Sequence, residues 1–184
     1  MGKIALIVGP HGVGKSTLFN FAKTKGELIV FDGFELPRDK YDLKIKEDFL
    51  SYEKWYIKFI NENNNIIKQS SRDGIVIRSI EESSYYFHFY KYADLIKEYG
   101  RLFADGNNTK VDCVIYLDAD YKTLCDRCKN DNARDMIETY SWYEYEYNRY
   151  VDYWTKYPGV KIIDTVQRGI GEIYDEVRLT LSKI

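Results

Sequence analysis

The chain has 184 residues, which is enough for one domain with a substantial hydrophobic core. Its 27 basic and 29 acidic residues nearly cancel, so no strong field exists to recruit nucleic acid or an acidic membrane surface, and both are disfavoured as partners. Met1 leads directly into a predicted strand and no apolar run approaches membrane-spanning length, which predicts a cytosolic (cytoplasmic) protein without a signal peptide.

Strand and helix signals alternate along the sequence, with no internal repeat. Five short apolar segments predict strands, near Ile4–Val8, Leu28–Phe31, Gly74–Arg78, Val111–Leu117 and Val160–Ile163. Longer segments with helical spacing lie between or after them, near Lys15–Lys25, Leu43–Gln69, Glu81–Tyr99, Tyr121–Lys129, Thr139–Tyr157 and Ile170–Ser182. The alternation predicts a single α/β domain over residues 1–184, in which a five-stranded parallel sheet forms the middle of a three-layer α/β/α sandwich.

The first strand is followed by the pattern Gly-x-x-x-x-Gly-Lys-Ser, which is typical of a phosphate-binding P-loop. Glycines permit positive φ and a close approach of main-chain N–H groups to a polyphosphate, and the helix that follows adds its positive end. Lys15 is predicted to bind the β- and γ-phosphates, and Ser16 to bind Mg²⁺ through its hydroxyl. The predicted nucleotide-binding residues are Gly9, His11, Gly12, Val13, Gly14, Lys15, Ser16 and Thr17. The alternative is an ordinary glycine turn, which the strand before it and the helix after it disfavour.

In a parallel sheet, ligands gather at the carboxyl ends of the strands. This rule selects the residues after each strand, namely Gly9–Ser16, Asp32, Arg78–Glu82, Asp118–Asp120 and Asp164–Arg168. Among P-loop proteins, a switch GTPase needs Asp-x-x-Gly after a strand, and this sequence contains none. Thr109-Lys-Val-Asp112 imitates the guanine-reading motif of GTPases but precedes its strand, so we interpret it as a structural segment. A small kinase fits the length best.

Over nearly its full length the chain resembles the nucleoside and nucleotide kinase branch of P-loop proteins, closest to the deoxynucleoside kinase and thymidylate kinase group. Four segments carry this resemblance. They are Gly9–Thr17, Glu53–Phe59 on the long second helix, Val76–Ser79 with Ser83–Tyr86 after the third strand, and Val114–Asp120 followed by the stretch from Arg127 to Arg134. The resemblance implies a P-loop NTPase fold of the nucleotide kinase type, with a lid at about residues 127–137 and the residues after the fifth strand beside the adenine of ATP. Similar kinases are often homodimers.

Phosphoryl transfer requires cations around the transferring group and a carboxylate near the acceptor hydroxyl. The predicted catalytic residues are Lys15, Asp32, Arg78, Arg127 and Arg134, with Asp32 as the base. The alternatives are a turn cap for Asp32, a surface ion pair for Arg78 and solvated loop charges for the two arginines of the lid.

The sequence also departs from the pattern of the similar kinases. Ile77 replaces the acidic residue that precedes the arginine, so the usual carboxylate near Mg²⁺ is missing there; Glu81, Glu82 and Asp118 are the candidates to substitute for it, and metal ligation beyond Ser16 stays open. The position that reads the base falls near Ile60 or Asn61, which leaves the base specificity open.

Two further patterns favour structure over chemistry. Cys125 and Cys128 have the spacing of half a zinc site, but no second pair follows, so we interpret them with Cys113 as reduced thiols. An aromatic stripe with helical spacing favours core packing over binding of a single strand, because acidic residues also line that helix. The stripe consists of Tyr140, Tyr143, Tyr147, Tyr150, Trp154 and Tyr157.

Together these features predict an ATP- and Mg²⁺-dependent kinase that acts on a nucleoside or a nucleoside monophosphate, in a deoxy form. Two alternatives remain open at this point. One is a kinase for a hydroxyl of a polynucleotide or a modified base. The other is a nucleotide-binding module without turnover, which the replacement of the acidic residue by Ile77 would permit.

Overall fold

A computed structural model of the protein describes residues 1–31, 40–42, 45–77, 79, 109–130, 148 and 150–184. The strands are β1 (Ile4–Val8), β2 (Ile29–Phe31), β3 (Gly74–Val76), β4 (Cys113–Asp118) and β5 (Lys161–Asp164). The helices with assigned limits are α1 (Lys15–Lys25), α2 (Lys46–Gln69), α3 (Tyr121–Asn130) and α4 (Ile170–Lys183). Residues 150–155 form a further helical segment.

The five strands form one parallel sheet in the order β2-β3-β1-β4-β5. The register pairs Leu6 of β1 with Val76 of β3 and with Val114 of β4. All residues of β1 are buried, as expected for the central strand of a sheet that is covered on both faces. The carboxyl ends of all five strands therefore lie along one edge of the sheet.

Side chains of β1 alternate between two hydrophobic clusters. Ala5 and Ile7 belong to the first cluster, which includes apolar residues of α1 and α4. Ile4, Leu6 and Val8 belong to the second, which includes Ile67 of α2 and Trp154. Apolar cores on the two faces confirm the predicted three-layer sandwich.

Predicted and observed element limits differ by no more than three residues where both are described. The second helix begins at Lys46 instead of Leu43, and the third strand ends at Val76 instead of Arg78. The predicted helix Glu81–Tyr99 and most of the predicted helix Thr139–Tyr157 lie outside the described residues. Within the described part of the chain, no helix combines the length and apolar character needed to cross a membrane.

The aromatic stripe packs into the core where it is described. Trp154 is fully buried in the second cluster, and Tyr150 and Tyr157 pack against that cluster. The ring centroids of Trp154 and Tyr157 are 5.3 Å apart, and those of Trp154 and Tyr150 are 6.2 Å apart. This confirms the interpretation of these three residues as core packing, whereas Tyr140, Tyr143 and Tyr147 lie outside the described residues.

The segment that imitates a GTPase motif is structural, as predicted. The Asp112 carboxylate accepts a hydrogen bond from the Ile4 amide at 2.7 Å and pairs with the Lys68 ammonium at 2.5 Å. Asp112 directly precedes β4, so both contacts lie at the amino ends of the strands, opposite the end that carries the P-loop. Asp112 therefore positions β1 beside β4 and does not read a base.

Candidate active site

The backbone after β1 has the conformation that the glycine pattern predicts. Gly9, Gly12 and Gly14 have φ values of 151°, 78° and 103°. A Cβ atom on Gly9 would lie 2.6 Å from the Leu117 carbonyl oxygen, and one on Gly12 would lie 2.7 Å from the Cys128 sulfur. A Cβ on Gly14 would meet no atom within 4 Å, so only its conformation favours glycine there. The strand, loop and helix follow in the order that a P-loop requires.

No side chain caps the main-chain amides at the amino end of α1. Gly14 is the N-cap residue, so no side chain caps the helix, and the first turn contains no acidic residue. His11, Ser16 and Thr17 are exposed, while Val13 is buried and anchors the loop in the core. This arrangement of amides, a helix dipole and hydroxyls suits an anion.

The Lys15 ammonium lies over the loop, where it donates hydrogen bonds to two main-chain carbonyls. Its Nζ is 2.5 Å from the Gly9 oxygen and 2.9 Å from the Pro10 oxygen. Phosphate oxygens form stronger, charge-assisted bonds with an ammonium than neutral carbonyls do. A polyphosphate in the loop would therefore draw Lys15 away from these carbonyls.

Tyr150 reaches the P-loop from the helical segment 150–155. The Gly9 amide donates a hydrogen bond to the Tyr150 hydroxyl oxygen at 3.2 Å. Gly9 is buried, and an amide buried without an acceptor would cost about 1–3 kcal/mol. The Tyr150 hydroxyl therefore supports the start of the P-loop, a role that the aromatic spacing gave no sign of.

Arg127 lies on α3 and is half-buried beside the P-loop. Its Nη1 donates to the Val13 carbonyl at 3.4 Å and to the Thr165 hydroxyl at 3.0 Å, and its Nη2 donates to the Thr165 carbonyl at 2.8 Å. The start of the predicted lid, residues 127–130, is thus the last turn of α3, and the rest of that segment lies outside the described residues. A role of Arg127 in stabilising the transferring group stays a prediction.

The loop after β5 is held in a defined shape at the same edge of the sheet. Gln167 has a positive φ of 56°, which is uncommon for a residue other than glycine. The Arg168 guanidinium donates to the Asp164 carbonyl at 3.2 Å and to the Glu176 carboxylate at 2.7 Å. The Arg168 hydrogen bond is the main reason that the pKa of Glu176 is lowered, and Lys161 also lowers it. These contacts fix the loop that the resemblance places beside adenine.

Acidic side chains follow β4 and β5 at this edge, and their environments differ. Asp118 and Asp164 are paired in the sheet register. Burial raises the pKa of Asp118, with smaller contributions from the charges of Asp164 and Asp120. Asp120 caps α3 through the Thr123 hydroxyl and amide, and these bonds lower its pKa. Of the three carboxylates predicted to replace the missing acidic residue, Asp118 is the one that the structure describes.

On the other side of β1, Ile77 stands where the similar kinases have an acidic residue. Its side chain packs against the first hydrophobic cluster, and its amide donates to the Phe31 carbonyl at 3.1 Å. A carboxylate in this half-buried place would lose those apolar contacts. Along α2, the predicted substrate-side segment contains the buried Glu53 and a stacked pair, Trp55 and Phe59, whose ring centroids are 5.5 Å apart.

The remaining predicted catalytic residues, Asp32, Arg78 and Arg134, lie outside the described residues. Asp32 and Arg78 follow the described ends of β2 and β3 by one and two residues. Their roles stay predictions. Lys15 and Arg127 are the two predicted catalytic residues that the structure describes, and both contact the P-loop backbone.

Sequence reasoning missed two residues that support the P-loop and its surroundings. Thr165 is buried, and both its amide and its hydroxyl donate to the Asp118 carbonyl at 2.9 Å. The rule for strand ends selected the segment that contains Thr165 but did not identify its bonds. The Tyr150 hydroxyl had no signal in the sequence beyond its place in the aromatic stripe.

Comparison with known proteins gives structural likeness without sequence likeness. No protein-family model matches the sequence, and no curated protein matches it. Among solved structures, deoxyadenosine kinase from M. mycoides with bound dATP is similar at a TM-score of 0.68 and 18% identity, over 98% of this chain and 99% of that chain.

Two further structures of the M. mycoides enzyme are also similar. The one with the products dCMP and a flexible dCDP bound has a TM-score of 0.62 and 18% identity, over 99% of this chain and all of the other. The one with bound dCTP has a TM-score of 0.61 and 16% identity, over 98% of this chain and all of the other. The chain therefore has the α/β fold of these deoxynucleoside kinase structures, with a five-stranded parallel sheet and a P-loop after its central strand.

Proposed function

We propose that this protein transfers the γ-phosphoryl group of ATP to a nucleoside or a nucleoside monophosphate, with a deoxynucleoside as the favoured acceptor. The observation that carries the proposal is the loop from Gly9 to Ser16, which combines positive-φ glycines, an open helix terminus and the Lys15 ammonium. The fold supports it, since the similar M. mycoides enzyme is a deoxyadenosine kinase that was solved with dATP, dCTP and dCMP.

On the donor side, the amides of Gly12 to Ser16 would surround the β-phosphate and Lys15 would bridge to the γ-phosphate. Ser16 offers an exposed hydroxyl at the first turn of α1, an oxygen ligand of the kind that Mg²⁺ accepts. When bound, Mg²⁺ would offset the charge of the phosphates. Asp118, one strand away from β1, is the described candidate for a further oxygen ligand.

On the acceptor side, Asp32 would accept the proton of a nucleoside hydroxyl, and Arg78 would bind oxygens of the transferring group. Arg134 would close over the phosphates from the lid and exclude water. A monophosphate acceptor arrives already anionic and depends on the arginines more than on a base. The side chain of Asp32 therefore distinguishes the two acceptor classes.

The test is a transfer assay with ATP labelled at the γ-phosphate, against the common nucleosides and nucleoside monophosphates. Lys15→Ala is expected to reduce transfer by at least about 100-fold, because the cation for the transferring group is lost. Lys23→Ala removes the same charge from the last turn of α1 and serves as the matched control, with activity unchanged. Asp32→Asn is expected to abolish transfer to nucleosides and to preserve transfer to monophosphates.

Binding measured by calorimetry separates the failures of this proposal. Tight binding of ATP with Mg²⁺ but no transfer to any acceptor would indicate a nucleotide-binding module without turnover. Transfer to short oligonucleotides that increases as salt decreases would indicate a polynucleotide kinase. Absence of any heat with ATP or GTP would refute the P-loop assignment itself.

A further inference from the structure

Arg127 connects two parts of the candidate site. On one side its guanidinium bonds to the Val13 carbonyl of the P-loop. On the other side it bonds to both the hydroxyl and the carbonyl of Thr165, at 3.0 and 2.8 Å. Thr165 is the first residue after β5, so the planar fork of one arginine spans the P-loop and the loop after β5.

Thr165 is itself fixed to the sheet. It is 2% exposed, and its amide and hydroxyl both donate to the carbonyl of Asp118, which ends β4. The Thr165 hydroxyl therefore donates one hydrogen bond to the Asp118 carbonyl and accepts one from Arg127. These two bonds use the hydroxyl proton and one of the oxygen lone pairs. An apolar residue in place of Thr165 would remove one acceptor from the Arg127 guanidinium, and one in place of Arg127 would remove a donor from the Thr165 carbonyl and hydroxyl.

The far end of this loop is also held. Arg168 bonds to the Asp164 carbonyl and to Glu176, and the Val166 amide donates to the Asp164 carboxylate at 2.8 Å. The loop is thus held by its own hydrogen bonds, and Arg127 connects it to the P-loop. In the proposed function these two loops bind opposite ends of the same ATP molecule.

We propose that Arg127 and Thr165 form a positioning pair that keeps the loop after β5 at a fixed position relative to the P-loop. In this position the two loops bind the base and the phosphates of one ATP molecule together. The proposal rests on the proposed function, since it assigns these loops to one nucleotide. ATP, which spans both loops, depends on their relative position. Inorganic tripolyphosphate contacts the P-loop alone and does not.

The experiment measures binding of ATP and of inorganic tripolyphosphate by calorimetry, with Mg²⁺, for four variants and one control. Thr165→Val keeps the shape of the side chain and removes the hydroxyl, and Arg127→Lys keeps the charge and removes the fork. Each is expected to weaken ATP binding by about tenfold and tripolyphosphate binding by less than about threefold. Thr165→Ser retains the hydroxyl and is expected to bind ATP as the wild type does.

The fourth variant combines Thr165→Val with Arg127→Lys. Because both changes weaken the same connection, its loss of ATP affinity is expected to be smaller than the sum of the two single losses. If Arg127 instead acted on the transferring group through its charge, the losses of the two single variants would be additive. In that case Arg127→Lys would lower kcat in the transfer assay. Thr180→Val is the matched control, since the Thr180 hydroxyl donates to the main-chain carbonyl of Glu176 within α4, and ATP binding of this variant is expected to be unchanged.

Several results would overturn the proposal while the proposed function stands. These are wild-type ATP binding by Thr165→Val, equal losses of ATP and tripolyphosphate binding, or additive losses in the double variant. Thermal unfolding without ligand, measured for each variant, shows whether a weakened affinity reflects a damaged fold. If the wild-type protein binds no ATP at all, the proposed function fails and this inference fails with it.

Discussion

Replacing Gly9 by alanine tests whether the P-loop backbone is confined as the structure describes. The φ value of 151° costs an alanine about 1–3 kcal/mol in conformational strain. In addition, the new Cβ would lie 2.6 Å from the Leu117 carbonyl oxygen and 2.9 Å from the Val13 side chain. Crowding of this kind costs a further ~1–3 kcal/mol, since a backbone oxygen in a buried strand cannot move aside easily. We therefore expect a loss of about 2–6 kcal/mol.

Gly14→Ala and Gly159→Ala are the matched controls. Both positions have positive φ, of 103° and 73°, and at both a Cβ would meet no atom within 4 Å. Each control is expected to lose only the strain of about 1–3 kcal/mol. The assay is thermal unfolding without nucleotide, where each kcal/mol lowers the Tm of a domain of this size by about 2–4 °C. If Gly9→Ala unfolds at the same temperature as the two controls, the close approach of the loop to β4 is refuted.

Three further changes test individual groups. Tyr150→Phe keeps the ring in the core and removes the acceptor of the Gly9 amide, so we expect weaker ATP binding by calorimetry, by about tenfold, with the far-ultraviolet circular dichroism unchanged. Burial, and then the charge of Asp112, raises the pKa of Cys113 to about 11, so alkylation of this thiol by iodoacetamide is expected to be slow at pH 8 and to accelerate toward pH 11. The pKa of Glu176 is lowered, so its ionised form stabilises the fold above about pH 4.3, and this contribution is lost as the pH falls through the lowered value. Glu176→Gln should therefore unfold more easily than the wild type at pH 7, and the difference should disappear in acid; a constant difference would contradict the assignment.

Much of the fold could be predicted because its signals are local. A buried parallel strand needs a short branched apolar run, as in Ile4–Val8, and the glycine pattern after it follows from the space and φ values at Gly9 and Gly14. The predicted first and last residues of the strands and helices were less accurate. The third strand ends at Val76, although the Ile77 amide still donates to the Phe31 carbonyl of β2, and an apolar run cannot indicate where such a strand ends.

The parts of the site that could not be predicted depend on contacts between distant segments. Arg127 is 38 residues from Thr165 in the sequence, and Tyr150 is 141 residues from Gly9. No spacing rule relates such pairs, because their proximity follows from how β5 and the helical segment 150–155 pack against the sheet. The prediction could select Arg127 for its charge and Thr165 for its place after a strand, but not the bond between them.

In the proposed function, the order of the strands places the two reactants on opposite sides of the P-loop. In-line transfer requires the donor and the acceptor to approach the γ-phosphoryl group from opposite directions. In the order β2-β3-β1-β4-β5, the P-loop follows the central strand, and the loop proposed for the donor base follows β5 on one side. Asp32 and Arg78, the residues proposed for the acceptor, follow β2 and β3 on the other side. A variant on the β5 side, such as Thr165→Val, should therefore change the KM for ATP and leave the KM for the acceptor unchanged, while Asp32→Asn should leave binding of ATP unchanged. Equal effects of Thr165→Val on both KM values would refute this division of the sheet.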